Sequence, residues 1–215
     1  AEATGAILAT TSNLYVYGEV NAPMTEQTPL RASGHKGRVR VAMWQDALAA
    51  HEAGRIRAFE GRGRDYLGGN SLLSMSIAPA LRKGRTAYVP SALDAPHSWT
   101  NVRDVAALLV TGVFDERAWG RAWHVPSAPP CTVRELAQLA ATQLGARLKL
   151  RSIPERALWG IGVFSPLVRE LRETQHQFRK PFVLDSSAAQ ECFALTPARL
   201  EDSVTLDLGA NIKPF

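Results

Sequence analysis

Apolar and polar residues follow one another along the start of the chain in blocks that predict a β-α-β unit. Residues 6–10 form a short apolar run, which is typical of a buried parallel strand. In residues 39–53, Val39, Met43, Ala47 and Ala50 fall near one helical face, and Gly54 follows where a helix would end. Residues 55–59 then predict a second strand. This order of elements indicates an α/β fold with a parallel sheet.

The pattern after residue 60 predicts further helices and strands, with no internal repeat and no low-complexity linker. Capping residues mark the starts of three helices, at Thr100-Asn101, at the capping box Thr132-Val-Arg-Glu135 and at Asp185-Ser-Ser187. Apolar spacing predicts two more helices, over residues 71–83 and 157–178, and strands over residues 86–90, 122–126 and 148–153. The alternation extends the α/β prediction to most of the chain.

A glycine-rich segment, residues 61–69, comes directly after the second predicted strand. A dinucleotide-binding fingerprint starting at Gly61 and Gly63 would need its third glycine at the position of Tyr66. The segment is therefore interpreted as a loop at the carboxyl end of a strand, which is where α/β proteins usually bind ligands.

Composition excludes several classes of protein. The 215 residues, 46% of them hydrophobic, are enough for one sizeable core or for a domain with a lobe. The longest apolar candidate, residues 157–168, is too short for a membrane span, and the first residues do not resemble a signal peptide. Cys131 and Cys192 form no disulfide framework, which favours a reduced, cytoplasmic setting. The five histidines show no metal-ligand spacing, so no metal site is predicted.

The net charge of +5 is concentrated in one part of the sequence. Residues 31–64 contain eight Lys/Arg and three Asp/Glu, which accounts for the whole surplus. One interpretation is an anionic ligand such as a dinucleotide pyrophosphate. The other is a solvated basic face, which charge alone would favour. No nucleic-acid motif accompanies these residues, so nucleic acid is not expected as a partner. Within the segment, Lys36 and Arg40 lie four residues apart, on one face of the predicted helix.

Six segments, in order along the chain, resemble parts of the extended short-chain dehydrogenases of the NAD-dependent epimerase/dehydratase family. They are Thr10-Thr-Ser-Asn-Leu-Tyr-Val-Tyr-Gly18, Pro23-x-x-Glu26-x-x-Pro29, Lys36-Gly-Arg-Val-Arg40, Arg62-Gly-Arg-Asp65-Tyr-Leu-Gly68, Trp99-Thr-Asn-Val-Arg-Asp-Val-Ala106 and residues 169–200, which resemble an atypical branch. The family's Gly-rich turn, dinucleotide-binding helix and acidic ribose contact have no counterpart in the sequence. The resemblance therefore concerns the C-terminal part of the family and implies that the chain is a fragment or a processed piece.

The resemblance implies a partial Rossmann-like parallel sheet with helices, followed by a smaller C-terminal substrate lobe. Residues 1–66 would belong to the dinucleotide-binding domain. Residues 67–215 would form mostly the substrate lobe, with Rossmann elements returning around residues 97–126. The implied cofactor is NAD or NADP, and the implied substrate is a nucleotide sugar or a similar hydroxyl or carbonyl compound.

All three catalytic positions differ from the family pattern. Asn13 stands where Ser or Thr is expected, Lys36 where Tyr is expected and Arg40 where Lys is expected. Arg40 could still supply positive charge and ribose hydrogen bonds, but a guanidinium is a poor proton donor. Lys36 could act as an acid or base only if burial or a neighbouring cation favoured its neutral form. The alternative for both cations is an exposed helix start.

The resemblance also assigns binding residues. The cofactor would contact Ser12, Arg40, Arg62, Asp65 and Tyr66, and the substrate would contact Tyr15, Tyr17 and Glu26. Four of them have a structural alternative. Arg62 and Asp65 could form a local salt bridge on a turn, Tyr17 could be a structural cleft residue, and Glu26 could be a loop cap.

Three functional hypotheses remain open at this point. The chain is an NAD(P)-binding epimerase, dehydratase or reductase, a non-catalytic cofactor-binding or scaffold protein with a degenerate site, or a truncated piece that cannot bind a cofactor alone. The last would expose a sheet edge through which a homodimer could form.

Overall fold

The computed structural model describes residues 1–154, 156–157 and 176–209. Within that part, the strands are β1 (Ile7–Asn13), β2 (Arg57–Gly63), β3 (Ala87–Val89), β4 (Pro96–His97), β5 (Ala122–His124), β6 (Cys131–Thr132) and β7 (Leu150–Ser152). The α-helices are α1 (His35–Glu52), α2 (Ala78–Arg82), α3 (Val102–Phe114), α4 (Val133–Gln143), α5 (His176–Arg179), α6 (Ser187–Phe193) and α7 (Leu200–Gly209). The helix predicted over residues 157–178 lies outside the described residues except at its two ends.

The chain divides into two compact units. The first contains Ala1–Arg64, Thr100–Ser127 and Leu184–Ala198, and the second contains Asp65–Trp99, Ala128–Val183 and Arg199–Phe215. These units are defined by packing alone. The prediction that one is a dinucleotide-binding domain and the other a substrate lobe stays a prediction.

The first unit is built on a parallel sheet with the strand order β1-β2-β5. Ile7 lies opposite Arg57 and Asn13 opposite Gly63, while β5 pairs along the other edge of β2. The central strand β2 is buried along almost its whole length, and β1 is half-exposed at the edge. The sheet and its helices confirm the predicted α/β fold with a Rossmann-like parallel arrangement.

The second strand is longer than the sequence pattern predicts. It extends to Gly63, so Gly61, Arg62 and Gly63 belong to the strand and not to the loop that follows. Gly61 fits there because α3 approaches closely: a Cβ at this position would lie 3.3 Å from the side chain of Leu108. The polar and glycine residues that indicated a loop are instead accommodated in the centre of the sheet.

Helix α1 begins at His35, with Gly34 as its N-cap, and not at the predicted residue 39. Lys36 therefore lies in the first turn. The predicted apolar face is only partly buried, because Val39 and Met43 are exposed while Trp44 is buried. The predicted face is thus buried only towards its C-terminal end, where Ala50 is buried and Ala47 is half-buried.

Helix α3 carries apolar residues on nearly all sides. Its buried stripe packs on the sheet, where Gly112 lies so close to Phe59 that a Cβ would come within 2.6 Å of the ring. The opposite stripe, at spacings of four residues, consists of Val102, Ala106, Val110 and Phe114, all exposed. A helix that is apolar on all sides is normally buried. The predicted cap at Asn101 is confirmed, since its side chain accepts a hydrogen bond from the backbone N–H of Arg103 at 2.8 Å.

The second unit has one continuous apolar core. It is formed by residues of the π-helical turn Leu73–Ile77, of α2, α4 and α7, and of β3. Strand β3 pairs in parallel with β7, and β4 pairs antiparallel with β6. The predicted capping box is confirmed at the start of α4, where Thr132 and Glu135 bond reciprocally. Helix α7 was not predicted from the sequence. None of the described helices is long and apolar enough to span a bilayer.

Candidate functional site

The strands of the first unit direct alternate side chains to opposite faces of the sheet. On the face packed by α3, Phe59 and Trp123 belong to an apolar cluster. On the other face, near α1, the buried side chains include the polar residues Glu60, Arg62 and His124. A parallel sheet with buried polar groups towards its carboxyl end has the arrangement that α/β proteins use for ligand sites. We therefore call these three residues, together with Tyr17, the polar face.

A chain of hydrogen bonds connects the polar face. The hydroxyl of Tyr17 lies 2.7 Å from Nε2 of His124 and accepts a hydrogen bond from Arg62 at 2.9 Å. The other ring nitrogen, Nδ1 of His124, lies 2.8 Å from the carbonyl oxygen of Asp185. Since a carbonyl only accepts, Nδ1 carries the hydrogen in this arrangement, and Nε2 accepts from the Tyr17 hydroxyl.

Burial keeps the Tyr17–His124 pair neutral. It raises the pKa of Tyr17, although the positive charge of Arg62 opposes the effect. It also lowers the pKa of His124 by disfavouring the imidazolium, against the opposing influence of Glu26. At neutral pH both groups are therefore uncharged, and the hydroxyl of Tyr17 donates its hydrogen bond to Nε2 of the neutral His124.

Glu60 balances the buried guanidinium of Arg62, and Glu26 holds the backbone at the end of β5. Nε of Arg62 donates to Oε1 of Glu60 at 2.7 Å, and both side chains are almost completely buried. Burial raises the pKa of Glu60, while Arg62 lowers it. Oε1 of Glu26 accepts from the backbone N–H of His124 at 2.8 Å. The guanidinium of Arg62 also lies over the ring of Trp44, 5.9 Å from its centroid.

A cavity of about 430 Å³ lies between β1 and α1. Its polar lining comes from Thr10, Thr11, Arg40, Asp46 and Glu60, and its apolar lining from Leu8, Met43, Ala47, Ala50 and Ile56. NH1 of Arg40 approaches the carbonyl oxygen of Thr11 at 3.5 Å. An apolar cavity with a few convergent polar groups is the usual form of a small-molecule site.

The three predicted catalytic residues lie in different environments. Asn13 is the last residue of β1, and its Oδ1 is buried and accepts no hydrogen bond from the described residues. Arg40 lines the cavity. Lys36 is exposed in the first turn of α1. Their catalytic roles stay predictions.

The predicted cofactor residues also fall in different environments. Ser12 and Arg62 are buried in neighbouring strands of the first unit. Asp65 and Tyr66 are half-buried in the second unit, where Oδ2 of Asp65 lies 3.5 Å from Nδ1 of His97. Whether any of them contacts a cofactor stays a prediction.

Of the predicted substrate residues, two are engaged in internal bonds. Tyr17 is bonded to His124, and Glu26 holds the backbone of the same histidine. Tyr15 is half-buried in the 3-10 turn Leu14–Tyr17. These contacts favour the structural alternatives for Tyr17 and Glu26.

Glu60 is the functional candidate that the sequence did not indicate. Its position two residues before Arg62 would place both side chains on one face of a strand, and this spacing was the available signal. It was missed because the strand was predicted to end at residue 59. The described residues include no cluster of His, Cys, Asp and Glu that could hold a metal ion.

The fold resembles that of several solved structures, although the sequence matches no known family. No family model matches the sequence, and no curated protein matches it. Among solved structures, RMD from Pseudomonas aeruginosa complexed with NADPH superposes with a TM-score of 0.72 and 16% identity over 95% of this chain and 66% of that one. The dTDP-glucose 4,6-dehydratase from Bacillus anthracis in complex with NAD gives a TM-score of 0.70 and 15% identity over 94% and 60%.

A third structure is the UDP-glucuronic acid 4-epimerase from Bacillus cereus in complex with UDP-glucuronic acid and NAD. It gives a TM-score of 0.74 and 11% identity over 94% of this chain and 60% of that one. At these identities the likeness shows the fold alone: this chain has the α/β fold of these three structures. It spans less than two thirds of the length of each.

Proposed function

We propose that this chain supplies part of an NAD- or NADP-binding site in a protein that acts on a nucleotide sugar or a similar hydroxyl or carbonyl substrate. The observation that carries the proposal is the position of Arg40. This cation lines a cavity at the edge strand β1, beside the carbonyl of Thr11 and above the buried carboxylate of Glu60. The neighbouring structures that hold NADPH, NAD or UDP-glucuronic acid support the choice of ligands.

The residues of the first unit fit the ribose and nicotinamide side of such a cofactor. Arg40 would bind the ribose hydroxyls, and the unpaired Oδ1 of Asn13 would accept a hydrogen bond from an amide or a hydroxyl group. The bound dinucleotide would supply hydride transfer. A pyrophosphate has no corresponding glycine cradle among the described residues, because the amides of Gly68 and Gly69 already donate to Asp207.

A catalytic role also requires a side chain that exchanges a proton with the substrate. Of the side-chain types at the three predicted catalytic positions, an amide has no acid–base group and a guanidinium is a poor proton donor, whereas an amine can exchange a proton. The hydroxyl of Tyr17, although close to the strand end, is held by His124. Lys36 is therefore the residue we propose for this role.

A cofactor titration tests the proposal. NAD⁺, NADH, NADP⁺ and NADPH would each be titrated against the chain, with tryptophan fluorescence and the melting temperature as readouts. We expect saturable binding of at least one dinucleotide and, for Arg40→Ala, a loss of affinity of about tenfold or more, as for a charge-assisted hydrogen bond. Arg55→Ala is the matched control, because Arg55 is exposed and pairs with Glu2. If none of the four dinucleotides binds, the proposal fails for this chain.

A non-catalytic cofactor-binding protein is the second candidate. It is favoured by the engagement of Tyr17 in the buried network and by the replacement of all three catalytic residues. Incubation with NAD⁺ and UDP-sugars, followed by chromatography of the products, distinguishes the two. Turnover that Lys36→Ala abolishes without weakening dinucleotide binding would contradict the non-catalytic candidate.

The remaining hypothesis is that the chain needs further polypeptide to bind a cofactor. It is supported by the half-exposed edge of β1 and the exposed apolar stripe of α3. In this case analytical ultracentrifugation should show self-association that rises with concentration. A monomer that binds a dinucleotide tightly would be the contrary result.

A further inference from the structure

The cavity between β1 and α1 has a buried carboxylate in its wall. Glu60 is 3% exposed and is one of the lining residues. Its Oε1 accepts from Nε of Arg62, whereas its Oε2 accepts no hydrogen bond from the residues that the structure describes. Leaving a buried carboxylate oxygen without a donor costs free energy. A donor on a molecule bound in the cavity would remove that cost.

Thr10 places a hydroxyl beside this carboxylate. The parallel register sets Thr10 of β1 opposite Glu60 of β2, and residues paired in this way direct their side chains to the same face of the sheet. Both residues line the cavity. The hydroxyl of Thr10 makes no hydrogen bond within the described part of the chain, so it can both donate to and accept from a ligand.

Arg40 supplies the complementary group from α1. Its guanidinium has only donors, and among the described residues its one hydrogen bond is the long contact of NH1 with the carbonyl oxygen of Thr11 at 3.5 Å. Burial raises the pKa of Glu60, and the charges of Arg62 and Arg40 oppose this effect. The charge of Arg40 therefore acts on Glu60, and the two groups border one cavity.

The charges around the cavity favour an uncharged ligand. Arg40 and Asp46 of α1 have opposite signs, and Glu60 is already paired with Arg62. A charged ligand would therefore gain little net Coulomb energy. A hydroxyl group donates and accepts at the same time, so two neighbouring hydroxyls can donate to a carboxylate and accept from a guanidinium. The aliphatic lining suits the carbon atoms of a sugar ring.

We propose that this cavity binds an uncharged vicinal diol, such as a ribose or another sugar ring, with Glu60 and Thr10 accepting from its hydroxyls and Arg40 donating to them. All three residues belong to the first unit. Glu60 provides the acceptor that a guanidinium alone cannot offer to a hydroxyl. That the diol is the ribose of a dinucleotide rests on the proposed function; the recognition of the hydroxyls does not.

Simple ribosides test the site directly. Methyl ribofuranoside, and its two analogues that each lack one of the neighbouring ring hydroxyls, would be titrated against the chain and followed by saturation-transfer NMR. We expect the riboside to bind, and at least one deoxy analogue to bind about tenfold more weakly, as for a hydrogen bond to a charged group. Equal binding of all three ribosides, or no binding of any, would overturn the proposal.

Substitutions of Glu60 assign the hydroxyl recognition to a residue. Glu60→Met removes both acceptor oxygens and Glu60→Gln retains one, so the preference for the riboside over the deoxy analogue should vanish in the first variant and shrink in the second. This preference is a ratio of two affinities, whereas a general loosening of the cavity would weaken both ligands alike. Glu52→Gln is the matched control, because Glu52 is exposed at the end of α1 and is not a lining residue. An unchanged preference in Glu60→Met would overturn the role of Glu60.

Thr10→Val keeps the experiment decisive if Glu60→Met fails to fold. Valine lacks the hydroxyl but is well tolerated in strands. The preference for the riboside should fall by about threefold, as for a hydrogen bond between uncharged groups. An unchanged preference in both Thr10→Val and Glu60→Gln would contradict the proposal.

The dinucleotide separates this inference from the proposed function. For a dinucleotide that binds, an analogue without a hydroxyl on the nicotinamide ribose should bind about tenfold more weakly, and Glu60→Met should remove the difference. Dinucleotide binding that does not depend on these hydroxyls would overturn the inference and leave the proposed function intact. Riboside binding that depends on Glu60, without binding of any dinucleotide, would support the inference and count against the proposed function.

Discussion

The two faces of the sheet in the first unit are made by the same three strands but hold together in different ways. The face packed by α3 is a continuous apolar cluster around Phe59 and Trp123. The polar face contains a buried ion pair, a neutral tyrosine–histidine pair and a cavity. Apolar packing tolerates neighbours of many shapes, whereas each buried polar group needs one particular partner. The polar face should therefore be more sensitive than the apolar face to the loss of a single partner.

The largest expected effect lies on the apolar face. Phe59→Ala should lower the free energy of unfolding by about 4 kcal/mol, because it empties a fully buried site whose ring also contacts Gly112. Urea denaturation measures this, with Phe59→Leu as a milder control that fills most of the volume. A loss below about 1 kcal/mol would mean that this face does not dominate stability.

The polar face should respond to loss of one partner more than to loss of both. Arg62→Met leaves Glu60 buried without its cation and should cost about 3 kcal/mol in the same denaturation experiment. The double variant Glu60→Gln/Arg62→Met should recover part of this loss, because no uncompensated charge remains. Additive costs of the two substitutions would show that they do not form a coupled pair.

The pH dependence of stability should come from His124. Burial lowers the pKa of this histidine in the folded state, so the unfolded state binds its proton first as the pH falls below about 6.5. Stability from this group is therefore present above that pH and lost below it, by up to about 1.4 kcal/mol per pH unit until the folded-state pKa is reached. Glu60 acts in the opposite direction, because its raised pKa favours the folded state as the pH falls through the acidic range.

His124→Gln isolates the contribution of the histidine. Melting temperatures measured between pH 5 and 8, a range of about three pH units around the reference pKa of histidine, should depend less on pH in this variant than in the unsubstituted chain. An identical pH profile for both proteins would assign the dependence to another group.

The smallest expected effect is on the exposed stripe of α3. Phe114→Ser should change the free energy of unfolding by no more than about 0.5 kcal/mol, because the side chain is 85% exposed. It should also reduce self-association in sedimentation experiments. A loss as large as that of Phe59→Ala would show that this stripe is covered in solution.

Local signals in the sequence predicted the elements whose determinants are local. The cap at Asn101 and the capping box at Thr132 and Glu135 depend on residues within one turn, and both were found as predicted. The parallel β-α-β unit followed from residue periodicity and is present in the first unit. The resemblance to the epimerase/dehydratase family agrees with the fold of the solved structures.

The polar face could not be predicted because its pairs form only in the folded sheet. Glu60 and Arg62 interrupt an apolar run in the sequence. They can occupy the centre of a buried strand because Arg62 bonds to Glu60 and to Tyr17, and Tyr17 bonds to His124. The anchoring of Gly68 by Asp207 spans 139 positions, which no local pattern reveals. The exposure of Val39 and Met43 in α1 could not be predicted for the same reason, because the burial of a helix face depends on what packs against it.

The strand β1 has a practical consequence for anyone who purifies this chain. Its seven residues, Ile-Leu-Ala-Thr-Thr-Ser-Asn, carry no charge and no proline, and within the described part of the chain the strand pairs on one side only. Natural sheet edges usually carry lysine, proline or a bulge that prevents other strands from joining. We therefore expect the yield of soluble protein to depend on this segment.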